Sequence, residues 1–489
     1  MKPASSQKDA GAYYTPDAIV TTLLSWAIHD KSDRFLDPAC GDGRFIAGHT
    51  NTVGIEQDAV ATCAAIERAP WALVHEGDFF TWAAATHERF NAAGGNPPFI
   101  RYQTFAGDLR ARALTLCHRL GANFTGLTSS WPPFLVASAG LLQPGGRMAF
   151  VVPAEIGHAP YAAPLLEYLA AHFEHVHIIA FREKLFPELS EDCWLLYAEG
   201  FGGVTTEIQF TAHDIFHTML TPPRDFLRIA IAEWRNVWNR RLRPFLMPEA
   251  TRDAYAAVLR DTETKRFKDL ARIGIGYVTG NNDFFHLRPS EAKRLRIPKA
   301  FLRATVRKSE VLPARRLYKA TVERWRRDDE EILLLNIPKA AELPSSVRDY
   351  LDSAAGKAAR EAYKCRMRTP WYSVPDVQTP DFFLSYMSGL EPSLVRNDAG
   401  CTCTNSVHAV RFCTPDATRA LGSVWDSDFL RLSCELEGHP LGGGLLKLEP
   451  GEAARIVVPA PATLKCVPAV AITEGINALR AWRHYGGQA

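Results

Sequence analysis

Asn96-Pro97-Pro98-Phe99 brings an amide oxygen, a backbone carbonyl and an aromatic face into one short segment. Two successive prolines forbid both helix and regular ladder pairing there, and Pro97 keeps Asn96 out of the helical region. The stretch ahead, Arg89-Phe90-Asn91-Ala92-Ala93, reads as a short buried strand, so the tetrapeptide is a stiff loop at a strand's end. Two acceptors beside a ring suit a planar base with an exocyclic amino group. The nitrogen of such a group is a poor nucleophile, because its lone pair is delocalised into the ring. Acceptors on both hydrogens, the Asn96 side-chain oxygen and the Pro97 carbonyl, favour a pyramidal nitrogen and stabilise the positive charge that develops there, which is electrostatic catalysis by preorganised groups.

Three further strand ends carry acids. Phe35-Leu36-Asp37 runs into Pro38-Ala39-Cys40-Gly41-Asp42-Gly43, a glycine turn that lets backbone approach a ligand at the carboxyl end of a strand. Val53-Gly54-Ile55-Glu56 ends in a carboxylate able to take both hydroxyls of a ribose. Leu73-Val74-His75 leads to Asp78-Phe79, an acceptor for an adenine amino group with a ring beside it. The glycines do not follow G-x-G-x-x-G, which disfavours a nicotinamide cofactor.

These segments, in this order and spacing, resemble the S-adenosylmethionine-dependent DNA adenine-N6 methyltransferases. With recognition residues following the catalytic domain, they resemble the gamma (Taq-type) class of restriction–modification systems. Gly11-Ala12-Tyr13-Tyr14-Thr15-Pro16 is similar to the segment that family sets against the methionine end of the cofactor. The likeness continues through Leu141 to Arg147, Phe150 to Glu155 and Leu185-Phe186-Pro187, and more loosely through Thr279 to Phe285, Arg368 to Tyr372 and Leu441 to Leu446. It implies a cofactor site of Tyr13, Thr15, Pro16, Asp37, Ala39, Gly41, Glu56, Asp78 and Phe79. It implies a catalytic set of Asn96, Pro97, Phe99 and Phe186, the two rings holding a base flipped out of duplex DNA. No metal is required. A Cys nucleophile, as in cytosine C5 methylation, has no Pro-Cys dipeptide to supply it. Other readings share parts of the pattern: an N4-cytosine, RNA or protein-glutamine methyltransferase, or a non-catalytic DNA-specificity subunit. Asn rather than Ser before the prolines, a long basic second half, and intact Asn96, Glu56 and Asp78 weigh against them.

The elements that must position these residues alternate strand and helix. Asp17 to Ile28 reads as a helix with Ile19, Val20, Leu23, Leu24 and Ala27 on one face. Met148 to Val152, Val176 to Phe181 and Trp194 to Tyr197 read as later strands. The pattern gives an α/β, doubly wound sheet; the resemblance makes it seven-stranded and mostly parallel, with an antiparallel hairpin at its end. A mixed α+β target-recognition region follows. The boundary is placed at Thr221-Pro222-Pro223, giving a catalytic domain over 1–220 and a DNA-binding domain over 221–489. Helical pieces are expected over Ile231 to Arg243, Thr251 to Arg272 and Ser353 to Tyr363.

Charge divides at the same place. Net charge is only +2, yet residues 1–220 carry 14 Lys/Arg against 23 Asp/Glu, and residues 221–489 carry 42 against 31. Double-stranded DNA would meet the second half, with Arg303, Arg307, Lys308 and Arg368 as candidate contacts. At 489 residues, 47% hydrophobic and 22% charged, the chain is long enough for two or three packed domains. It shows neither a membrane span nor a signal peptide, so a cytoplasmic location is expected, with its ten cysteines as reduced thiols. Cys401-Thr402-Cys403 lacks zinc-ligand spacing. Partners expected besides DNA are a separate cognate restriction endonuclease and no second copy, the chain acting as a monomer on DNA.

Overall fold

The computed structural model describes residues 15–189, 191–441 and 443–485, so Tyr13 lies outside the described residues. The chain forms two compact units, Met1–Leu246 and Met247–Ala489.

In the first unit, nine strands form one sheet: β1 (Phe35–Asp37), β2 (Thr52–Glu56), β3 (Leu73–Glu76), β4 (Phe90–Gly95), β5 (Leu142–Pro153), β6 (Phe173–Phe181), β7 (Cys193–Phe201), β8 (Glu207–His213) and β9 (Leu227–Ala230). Their order is β3-β2-β1-β4-β5-β7-β6-β8-β9. The pairs β3/β2, β2/β1, β1/β4 and β4/β5 are parallel, and β7 lies antiparallel between β5 and β6. The expected doubly wound sheet is therefore present, but it has nine strands rather than seven. β8 pairs parallel with β6 and β9 antiparallel with β8, burying Ile208, Phe210 and Ile229.

The strands are nearly continuous in apolar residues because both sheet faces are covered. Ala149 and Val151, Ile179 and Phe181, and Cys193, Leu195 and Tyr197 alternate onto one side. There they join the buried face of α1 (Asp17–Ala27), including Ile19, Leu23 and Trp26. Met148, Phe150, Val152, Ile178, Ala180, Leu196 and Ala198, of the opposite parity, are just as buried. Three shorter helices also bear on the site: α2 (Ala59–Arg68), α3 (Phe79–Ala85) and α4 (Trp131–Ala139).

The division falls at Leu246/Met247 rather than after residue 220, because β9 and the helix Ile231–Asn236 complete the first unit's sheet edge. The helix expected to reach Arg243 stops at Asn236, where Asn239 (φ 50°) and Arg240 (φ 59°) turn the chain back. The one expected over Thr251 to Arg272 is a helix over Glu249–Arg260 and again only as a single turn over Phe267–Leu270. Asp261 turns extended between them, and Ala271–Ile275 is a strand.

The second unit is mixed α+β. Strands β10 (Ala271–Ile275), β11 (Leu302–Val306), β12 (Arg316–Leu317), β13 (Phe382–Ser385), β14 (Leu394–Asn397) and β15 (Val407–Phe412) are its main ladders. The largest sheet runs β10-β15-β13-β14-β12. Its core includes Phe284, Phe285, Val306, Leu317, Trp325, Leu335, Phe383 and Val395. Helices α5 (Asp428–Glu437) and α6 (Ala469–Trp482) pack together beside it. The segment Ser353 to Tyr363 yields Ala354–Arg360, capped by the Ser353 hydroxyl, and a separate turn Tyr363–Arg366. Cys401 and Cys403 are buried thiols, pushed up to about 12 by that burial. No helix among the described residues is long and apolar enough to cross a membrane.

Candidate active site

The site is assembled at the carboxyl ends of β1, β2, β3 and β4. Parallel pairing of Leu36 with Ala93 puts the end of β1 beside the end of β4, so Asp37 and Asn96 become neighbours although far apart in sequence. Gly95 makes that contact possible. At φ 149° its hydrogen faces Asp37, and a Cβ there would come within 2.6 Å of Asp37 Oδ1. Asp37 is 1% exposed; Oδ1 accepts from the Ala39 N–H at 3.1 Å, and Oδ2 is buried without a hydrogen-bond partner. Burial, opposed by the Ala39 N–H and reinforced by the Glu56 carboxylate, pushes its pKa up to about 8. Asn96 Oδ1 is likewise buried with no partner. Two buried oxygens without hydrogen-bond partners, Asp37 Oδ2 and Asn96 Oδ1, next to a glycine cradle, form a site prepared for a polar or positively charged ligand.

The glycine turn is fastened from β2. Glu56 Oε2 accepts from the Gly41 N–H at 2.9 Å, and Oε1 accepts from the Gln57 and Asp58 N–H groups at 2.8 Å each. Gly43, at φ 88°, lets the turn lie against α2, where a Cβ would meet the Ala65 Cα at 2.8 Å. Thr15 is buried and Pro16 opens α1; the Arg44 guanidinium, from the glycine turn, donates to the Thr15 carbonyl at 3.4 Å. Asp78 caps α3, with Oδ2 accepting from the Thr81 N–H and hydroxyl at 2.9 and 2.6 Å. Phe79, 3% exposed, stacks on Phe134 of α4 with centroids 5.2 Å apart. One of its faces is thus taken by the core. Phe186 is 1% exposed, in the apolar cluster against which half-buried Phe99 packs. The two rings share one cluster, with Phe99 on its accessible side.

The residue that fixes the tetrapeptide is Ser130, which sequence reasoning missed. Its hydroxyl donates to the Pro98 carbonyl and accepts from the Ile100 N–H at 2.9 Å, and its own N–H donates to the Ile100 carbonyl at 3.0 Å. A serine just before Trp131-Pro132-Pro133, a helix start with Pro in its first turn, was the available signal.

The chain matches the model of the type II methyltransferase M.Eco57I C-terminal domain over residues 239–481, and that of the N-6 DNA methylases over residues 2–65. The chain belongs to the gamma-class DNA methyltransferases of restriction–modification systems. It is similar to the type II methyltransferase M.AccI of Acinetobacter calcoaceticus, 20% identical over 473 residues that span 91% of this chain and 84% of that one. It is also similar to M.XamI of Xanthomonas campestris pv. amaranthicola, at 23% identity over 92% and 85% of the two chains. Among solved structures, the type IIL restriction-modification enzyme MmeI, determined in complex with DNA, shares the fold: TM-score 0.52 at 12% identity, over 93% of this chain and 69% of that one. As a methyltransferase of this family, the protein uses S-adenosylmethionine. The fold provides its glycine turn and acids at the strand ends where such a cofactor binds.

The candidate DNA contacts of the second unit divide into two kinds. Arg303 on β11 and Lys308 after it are exposed. Arg307 is ion-paired with Glu331. Arg368 is turned inward, its guanidinium donating to the carbonyls of Thr279, at 2.6 Å, and Val278. It holds the Thr279-Gly280 segment in place rather than reaching outward.

Proposed function

We propose that this methyltransferase transfers its methyl group to the N6 amino group of an adenine flipped out of double-stranded DNA, at one short recognition sequence. The observation that carries this reading is the buried, partnerless Asn96 Oδ1 at the end of β4. It is an acceptor held where an amino hydrogen would satisfy it, beside the Pro97 carbonyl and the Phe99 ring. Bound S-adenosylmethionine supplies an electrophilic sulfonium methyl; the protein's part is positioning and charge stabilisation. Asn96 and Pro97 draw on the amino hydrogens, Phe99 stacks on the base, Glu56 holds the ribose, and Asp37 faces the cofactor's positive end. Target recognition is assigned to the basic second unit, with Arg303 and Lys308 as phosphate or base contacts. Action as a monomer alongside a separate restriction endonuclease completes the reading. Sequence-resolved detection of N6-methyladenine in DNA from cells with and without the gene tests it: methylated adenine at one motif is expected, and modified cytosine, or no modified base, would refute it.

Replacing Glu56 by Ala should weaken the cofactor by about 10- to 100-fold, the equivalent of roughly 1.5–3 kcal/mol for hydrogen bonds to a charged group. Saturated turnover should change less, because a ribose contact is made equally in ground and transition states. Unchanged affinity by calorimetry in a folded variant would remove Glu56 from the site.

Cofactor affinity should also depend on pH through Asp37. With its pKa raised to about 8, the folded protein holds a proton between roughly pH 4 and 8 that the unfolded chain has lost. The aspartate's contribution to stability therefore falls as pH rises through that window. A bound cation favours the carboxylate, so binding releases the proton, and affinity rises with pH up to about 8 and then levels. Calorimetry in two buffers of different ionisation enthalpy should show proton release near pH 7 that Asp37→Asn abolishes.

A further inference from the structure

Arg101 follows directly on the segment that carries Phe99. Its backbone is fixed: Ile100 is clamped by Ser130, and the Arg101 carbonyl accepts from the Thr104 and Phe105 N–H groups at 2.9 and 2.8 Å. Its side chain is 71% exposed and ion-paired with Glu191, itself 34% exposed. Glu191 belongs to the short acidic stretch Glu188 to Asp192, which follows Phe186. The ion pair thus links the segment after Phe99 to the segment after Phe186. Nearby arginines already have partners: Arg110 donates to the Tyr102 and Gly126 carbonyls, and Arg112, itself exposed, lies 3.7 Å from Asp78. A largely exposed pair of this kind contributes little to stability, so a better anion displaces the carboxylate readily.

We propose that Glu191 is a placeholder for a DNA phosphate, and that Arg101 exchanges it for a phosphate of the flipped nucleotide as the base reaches Phe99. This rests on the base-flipping reading given above. The geometry favours a phosphate because a base stacked on Phe99 brings its own sugar-phosphate to the loop that follows that ring. A guanidinium matches phosphate oxygens in a bidentate fork. The acidic stretch, which would otherwise repel the backbone, keeps the guanidinium extended until DNA arrives.

The test uses the full chain, S-adenosylhomocysteine and a duplex carrying the modified motif, with binding followed by fluorescence anisotropy across a range of salt. Arg101→Ala should weaken binding about tenfold and reduce the log–log salt slope by about 0.9, the share of one phosphate; Arg101→Lys should restore the slope. Glu191→Gln should do the reverse of Arg101→Ala and tighten binding severalfold, but only while Arg101 is present. In the double variant Arg101→Ala/Glu191→Gln the gain should vanish. Affinity and slope unchanged in Arg101→Ala would overturn the proposal. So would equal tightening by Glu191→Gln in both backgrounds, since general repulsion by the acidic stretch would then suffice. If the modified base proves not to be adenine, the acceptor assignment fails while the Arg101 comparison, run on the base found, keeps its own outcome. If no base is modified, both fail.

Discussion

Asn96→Ala is expected to lower the single-turnover rate of methyl transfer by about 100- to 1,000-fold, the cost of roughly 2.7–4 kcal/mol seen when one preorganised hydrogen-bonding group is removed from a developing charge. Binding of cofactor and duplex should change little, because the contact gains strength mainly as the amino nitrogen becomes positive. Stability makes the prediction sharper. Asn96 Oδ1 is buried with no partner, so its removal takes no hydrogen bond from that atom and relieves a desolvated acceptor. Such groups cost about 1–3 kcal/mol, and the thermal midpoint of the variant should stay the same or rise. Rapid-quench kinetics beside calorimetric unfolding check both halves. Turnover within a few-fold of wild type, or a clear loss of stability, would make Asn96 a structural residue instead.

The second large effect concerns the second unit. Arg483 has a fully buried side chain at the end of α6; it donates to Glu435 Oε2 and Oε1 on α5 at 2.8 and 2.7 Å, and to the carbonyls of Gly389 and Gly444. Arg480 adds a further bond to Glu435 at 3.0 Å. This one carboxylate neutralises two guanidiniums and fixes the helix pair α5/α6. Through Arg483 it also fixes the backbone at Gly444. Glu435→Gln should destabilise the second unit by about 3–5 kcal/mol, because a buried cation is left without its counter-charge. A double change, Glu435→Leu with Arg483→Met, should cost much less, since neither charge is then stranded. Urea unfolding of the full chain should show the second unit's transition moving to lower denaturant in the single variant, with loss of sequence preference on DNA below the transition. A midpoint unmoved by Glu435→Gln would show that the guanidiniums find other compensation.

Much of the catalytic unit was readable because its chemistry is local. Glycine at Gly41 and Gly43, acids closing apolar runs at Asp37 and Glu56, and paired prolines after Asn96 each impose a backbone conformation or expose a group by their own nature. Strand–helix alternation did the rest, since continuous apolar runs of strand length separated by helices call for a sheet buried on both faces. The added strands β8 and β9 escaped notice because pairing at a sheet's edge depends on which neighbour has an open ladder, which the periodicity of Ile208 and Phe210 does not reveal.

Side-chain commitment was the part the sequence could not specify. Arg307 and Arg368 look as available as Arg303 and Lys308 when read along the chain; Glu331 and the carbonyls of Val278 and Thr279 engage them only once distant segments meet. Phe79 and Phe186 likewise read as rings for a ligand, and the fold packs both in the core, because an aromatic side chain beside other apolar groups loses more exposed area by stacking inwards. Residue types alone determined which chemistry this protein is equipped for. Tertiary structure decided that Asp37 and Asn96 share one buried corner, through the parallel pairing of β1 with β4 and a glycine small enough to let the two strand ends touch.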